Sequence, residues 1–140
     1  MTKKLGVGII GCGNISTAYL QLASMFKGYD IVAVADISMD NARAQAAKFD
    51  VRADTVDDLL VAHDVDLIIN LTIPVAHVDV SRAILQAGKH VYSEKPFVLS
   101  LDEAQELGNI AKANNLRIGS APDTFMGGSH QMARNLIDAS

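Results

Sequence analysis

The sequence predicts an α/β domain: a doubly wound, mostly parallel sheet with helices on both faces. Two observations carry that prediction. Short apolar runs alternate with amphipathic stretches from end to end, the pattern of β-α-β units whose crossover helices cover a parallel sheet. A glycine turn, Gly11-Cys12-Gly13, separates the first apolar run from the first amphipathic stretch, where a strand must turn sharply into a helix.

Taken in order, Leu5–Ile10 reads as a buried strand and residues 15–26 as a helix. Residues 31–35 form the next strand. Ser38 and Asp40 both offer a cap for a helix over 40–49. Val51-Arg52-Ala53 reads as a short edge strand, 56–62 as a helix and 67–71 as a strand. A helix over 75–87 is closed by Gly88, and His90–Ser93 follows as a strand. Ser100 with Glu103 three residues on is a capping box opening the helix Leu101–Ala113, and 116–118 is the last strand. Residues 122–128 read as a loop, and 129–139 as a helix starting at a serine cap. The chain then stops at Ser140 with no C-cap and no proline, so its end reads as a cut.

Bulk properties narrow the function. Apolar residues at 49% and charged residues at 20% are an ordinary globular balance, and 140 residues suffice for one domain with a real core. A net charge of −4, with no Lys-Arg cluster longer than two, argues against a nucleic-acid partner. The apolar run behind Lys3-Lys4 is broken by Gly6, Gly8 and Gly11, too soon for a signal peptide or a membrane span. One cysteine, Cys12, cannot form an internal disulfide and fits a reducing cytoplasm. No Cys/His cluster has metal-ligand spacing, and no metal is expected.

The glycine turn approximates G-x-G-x-x-G between a strand and a helix, the Rossmann fingerprint for dinucleotides. Gly11 allows the tight turn, Gly13 lets the backbone approach a pyrophosphate, and the helix-start N–H groups around Asn14 and Ile15 hold the anion. Ser16 stands where the third glycine would be. A glycine turn without a ligand remains the plain alternative. Asp36 ends the second strand 20 residues past Ser16, where an acid binds the adenosine ribose diol and repels a 2′-phosphate. That favours NAD over NADP, against the alternative of a turn or capping aspartate. Cys12 reads as a small turn filler rather than a redox thiol.

Parallel strands share one C-terminal edge, and the three prolines, Pro74, Pro96 and Pro122, all fall there. So do Thr72, able to donate to a cofactor phosphate or ribose, and His77, for which packing or capping at a helix start competes with a functional role. His63, His90 and His130 carry no supporting pattern. Lys95, between Glu94 and Pro96, is the candidate for chemistry. Hydride transfer from a secondary alcohol leaves a hydroxyl proton, which a positioned, partly buried lysine can take. Glu94 either orients Lys95 or accepts backbone or ribose hydrogen bonds; a surface Lys-Glu pair is the plain alternative.

The residues Gly11-Cys12-Gly13-Asn14-Ile15-Ser16, Asp36, Thr72-Ile73-Pro74 with His77, and Glu94-Lys95-Pro96 together resemble the N-terminal half of the glucose-fructose oxidoreductase/inositol dehydrogenase (Gfo/Idh/MocA) family. Glu-Lys-Pro is the most specific part. The resemblance implies that Lys95 contacts substrate and nicotinamide, that Asp36 binds the adenosine ribose, and that the substrate is a sugar, polyol or related compound. It also implies a second α+β domain carrying most substrate contacts, a catalytic histidine and a homo-oligomer surface. The expected division is a dinucleotide-binding domain over 1–122, with a loop and first helix of the second domain over 123–140. Such a piece is expected to bind NAD weakly without turnover. A non-catalytic NAD-sensing module is the alternative, and a methyltransferase is disfavoured because it gives no reason for Glu94-Lys95-Pro96.

Overall fold

The computed structural model describes residues 4–121 and 125–139. Six strands, β1 (Leu5–Ile10), β2 (Tyr29–Ala35), β3 (Arg52–Asp54), β4 (Leu67–Asn70), β5 (His90–Ser93) and β6 (Ile118–Ser120), make one sheet in the order β3-β2-β1-β4-β5-β6. Every neighbouring pair is parallel. This is the doubly wound order that reverses between β1 and β4.

From Val7 to Ile10 both faces of β1 are buried, and its side chains there are apolar or absent. Val7 and Ile9 face α1 (Asn14–Leu22) and α2 (Met39–Phe49), in a core with Leu20, Ala42 and Ala46. Ile10 faces the other layer, α3 (Val56–Val61), α4 (His77–Gln86) and α5 (Leu101–Ala113), with Leu59, Val78, Ile84, Leu85 and Leu107. The sixth helix, α6 (Gly128–Asp138), is exposed along its length.

Several expected boundaries move, each for a local reason. The first helix ends at Leu22 and passes into a 3-10 turn over Ala23–Met25, rather than running to residue 26. Strand β2 begins at Tyr29, two residues earlier than expected. The last strand starts at Ile118, because Asn115 takes a left-handed φ of 54° and Leu116 N–H returns 2.8 Å to Ala111 O, keeping 114–116 within the helix closure. Ser38 occupies the N-cap position of α2, but its side chain makes no capping bond and Asp40 lies inside the first turn. Asp36 instead accepts from Ser38 N–H at 2.9 Å. A 3-10 turn over Pro74–Ala76 precedes α4. Helix α6 is capped by the backbone of Gly127, with Ser129 already helical. The capping box at Ser100 and Glu103 forms as expected, and Gly88, at φ 77°, closes α4. Pro122 and the expected domain boundary beside it lie outside the described residues.

Candidate active site

Register builds the site. Ile10 pairs with Ala35 and Asn70, Asn70 with Ser93, and Ser93 with Ser120, so four neighbouring strands beside β1 end level. The ladder continues one residue further: Gly11 N–H bonds Ala35 O, Leu71 N–H bonds Ile10 O, Glu94 N–H bonds Asn70 O and Ala121 N–H bonds Ser93 O, all at 2.8–2.9 Å. Gly11, Asp36, Thr72 and Glu94-Lys95-Pro96 therefore leave the sheet along one edge, at the switch point where open α/β sheets bind ligands.

The two glycines of the turn are constrained by different things. Gly11 has φ 105°, and a Cβ there would sit 2.6 Å from the carbonyl carbon and oxygen of Leu71. A Cβ on Gly13 would meet nothing within 4 Å, so the protein itself leaves that space open. Behind it Ser16 is fully buried, and its hydroxyl donates to Gly13 O at 2.6 Å. Serine thus fits the third position and ties the turn shut. No acidic residue occupies the first turn of α1, so the positive end of the helix is not neutralised and its first N–H groups lack intrahelical acceptors. Asn14 and Ile15 are exposed there.

Asp36 is held by the same turn. One carboxylate oxygen accepts from Cys12 N–H at 2.7 Å, the other from Ser38 N–H. Each oxygen keeps further lone pairs for a diol. Cys12 is 6% exposed, and its thiol lies 3.5 Å from Ala35 O. Burial, with Asp36 adding to it, pushes the thiol pKa up to about 12. Cys12 is accordingly expected to resist iodoacetamide at pH 8 in the folded chain and to react once urea unfolds it, as followed by mass spectrometry. Fast labelling of the native protein would contradict its role as a packed, protonated filler.

Behind Thr72 lies a buried polar network that sequence reasoning did not assign. Asn70, fully buried, donates to His77 O and to the Ser81 hydroxyl, each at 3.0 Å, and accepts from Thr72 N–H and from the Thr72 hydroxyl at 3.2 and 2.6 Å. His77 is 1% exposed. Its Nδ1 lies 2.6 Å from Pro96 O and its Nε2 2.9 Å from Thr72 O, so the ring pins two loops of the edge from beneath. It presents no free nitrogen to that edge. A polar residue closing the run Leu67-Ile68-Ile69-Asn70 was the one available signal for this network.

Glu94 holds Lys95 by the main chain rather than by its ammonium: Glu94 Oε2 accepts from Lys95 N–H at 3.0 Å. The Lys95–Pro96 peptide is cis. Lys95 is exposed rather than partly buried, because no described element of this chain covers that side of the edge. Among the described residues no group of three or more His, Cys, Asp or Glu could hold a metal ion, and no helix is long and apolar enough to cross a membrane.

The pattern of the GFO_IDH_MocA oxidoreductase family, described as its NAD-binding Rossmann fold, matches residues 5–121. The chain belongs to this family. Inositol 2-dehydrogenase of Salmonella typhimurium is 33% identical over 118 residues, covering 81% of this chain and 35% of that protein. The chain thus spans about a third of the length of such curated relatives. Among solved structures, GenD2 from gentamicin A biosynthesis, in complex with NAD, superposes with TM-score 0.89 over 97% of this chain and 39% of its own, at 23% identity. Synechocystis biliverdin reductase, in complex with biliverdin and NADP+, superposes with TM-score 0.86 over 96% and 43%, at 27% identity. The NAD-binding Rossmann domain of a Gfo/Idh/MocA oxidoreductase thus accounts for residues 5–121 of the chain.

Proposed function

We propose that this chain is the cofactor half of an oxidoreductase that moves hydride between NAD and a CH–OH carbon of a sugar, polyol or related compound. Residues 1–122 form the dinucleotide domain, and 123–140 the connection to, and first helix of, a substrate domain. The observation that carries the reading is the level edge, which brings the open glycine turn, the tethered Asp36 and the Glu94-Lys95-Pro96 loop to one crevice. When bound, nicotinamide supplies the hydride acceptor or donor. Gly13, Asn14 and Ile15 present main-chain N–H groups to the pyrophosphate, Gly11, whose own N–H stays with Ala35 O, makes the tight turn, and Asp36 accepts from the adenosine ribose. The Thr72 hydroxyl, whose proton is already committed to Asn70, offers its lone pairs to a ribose hydroxyl. Pro74 and His77 shape that loop. Glu94 sets the path of the chain, and Lys95 takes or returns the hydroxyl proton or positions the substrate oxygen. Dehydrogenation of inositol by relatives is consistent with a polyol substrate.

Isothermal titration of the chain with NAD and with NADP tests the cofactor reading. NAD is expected to bind, and NADP at least about tenfold more weakly, because the Asp36 carboxylate meets the 2′-phosphate. Equal or tighter binding of NADP would sink the Asp36 assignment. Failure of both to bind would remove the cofactor reading altogether. The exposure of Lys95 favours one rival, a module that binds NAD without chemistry, and is the reason no turnover is expected from residues 1–140 by themselves.

A further inference from the structure

Tyr19 lies on the second turn of α1, one face of which packs on the sheet. Its ring lines an apolar hollow of about 440 Å³ with Leu22, Phe26, Ile69 and Tyr92, and its hydroxyl leaves that hollow to donate to Glu94 Oε1 at 2.9 Å. The two residues are 75 positions apart. Glu94 spends its other oxygen on Lys95 N–H at 3.0 Å, while its own N–H is the last rung of the β4–β5 ladder. The direction in which Lys95 departs from the sheet is therefore set by the Glu94 carboxylate, and the rotation of that carboxylate is set by Tyr19. Burial, reinforced by Glu94, raises the Tyr19 pKa well above the usual phenol range, so the phenol remains a donor at any working pH.

We propose that Tyr19 is a positioning residue for Lys95: through Glu94 it fastens the Lys95 loop to the helix whose first turn receives the cofactor pyrophosphate. This rests on the cofactor reading above and adds to it a physical link between the two ends of the crevice. One helix carries the glycine turn at its start and Tyr19 six residues past Gly13. Any seating of α1 on the pyrophosphate is then transmitted to Lys95 through two charge-assisted hydrogen bonds, one at each oxygen of the Glu94 carboxylate.

The test uses the chain itself, observed by NMR. Tyr19→Phe keeps the ring in the hollow and removes only the hydroxyl. It is expected to speed amide hydrogen exchange at Lys95 about tenfold, the loss typical of a hydrogen bond to a charged group, while the buried strand amides of Ile68 and Val91 keep their protection. A merely structural tyrosine would instead weaken those core amides and leave Lys95 in step with them. Glu94→Ala, which removes the acceptor of the Lys95 N–H itself, is expected to release Lys95 at least as far, with Tyr19→Phe adding nothing in that background. Saturating NAD is expected to shift the Gly13 amide resonance in the unchanged chain and in Tyr19→Phe alike. An unmoved Lys95 amide in Tyr19→Phe, or additive effects of the two substitutions, would overturn the proposal. Failure of the cofactor reading is distinguishable, since it shows as a Gly13 resonance that ignores NAD in the unchanged chain, while the exchange comparison needs no cofactor.

Discussion

Gly11→Ala is expected to remove a large share of this domain's stability, whereas Gly13→Ala is expected to leave it folded and strip most of its affinity for NAD. The two glycines stand two residues apart in one motif, and a pattern match treats them alike. At Gly11 the backbone has φ 105°, and an added methyl would lie 2.6 Å from the Leu71 carbonyl. That main chain cannot retreat without breaking the Leu71 N–H bond to Ile10 O, 2.8 Å long, in the middle of the sheet. Strain and overlap together should cost about 3 kcal/mol or more, against roughly 5–15 kcal/mol for a domain of this size. Gly13 has φ −75°, which alanine adopts freely, and its methyl would meet no protein atom within 4 Å. Only a cap preference of about 1 kcal/mol is at stake. The methyl would instead stand where a pyrophosphate must touch the backbone, and a loss of at least about tenfold in affinity corresponds to about 1.4 kcal/mol. Urea denaturation and NAD titration of both variants measure the contrast. A Gly13→Ala chain with undiminished NAD affinity would show that the open space is not the phosphate site.

Asn70→Ala is expected to be the most damaging change among residues that never reach the surface of the crevice. The side chain makes four hydrogen bonds, two given and two received, and is fully buried. Alanine would leave the carbonyl of His77 and the polar groups of Ser81 and Thr72 to find new partners in an interior with little room. About 3 kcal/mol follows from buried polar groups left unpaired, and a fall in Tm of roughly 10 °C from the size of the domain. NAD affinity should fall as well, because Thr72 and the start of α4 lose the group that fixes them. Ser81→Ala, which removes a single bond, should cost only about 1 kcal/mol. Thermal unfolding of the two variants decides the matter. Equal small losses would mean that the network is incidental.

Much of this architecture was legible because it rests on local physics. The run Leu5–Ile10 followed by Gly11-Cys12-Gly13 announces a strand and a tight turn, and the box at Ser100 and Glu103 announces a helix start. Boundaries were less legible, because small main-chain choices at element ends decide them. Ser38 holds the N-cap position of α2 without a side-chain capping bond, and residues 114–116 stay with α5 through the return bond from Leu116 N–H to Ala111 O. The site residues divide the same way. Asp36 and Lys95 could be named from their places at strand ends. Tyr19 could not, since nothing local marks a tyrosine that meets a glutamate 75 residues away.

By itself the sequence determined the alternation of strands and helices, the sharp glycine turn after the first strand and the family. These follow from periodicity, glycine placement and a specific tripeptide, all properties of neighbouring residues. Only the tertiary structure decided where each residue of the edge sits and what it touches. Parallel register, a relation between distant strands, made the strand ends level and so gathered Gly11, Asp36, Thr72 and Lys95. Packing then drew His77 beneath the edge, placed Asn70 at the centre of a buried network, left Lys95 uncovered, and joined α1 to the Lys95 loop through Tyr19 and Glu94.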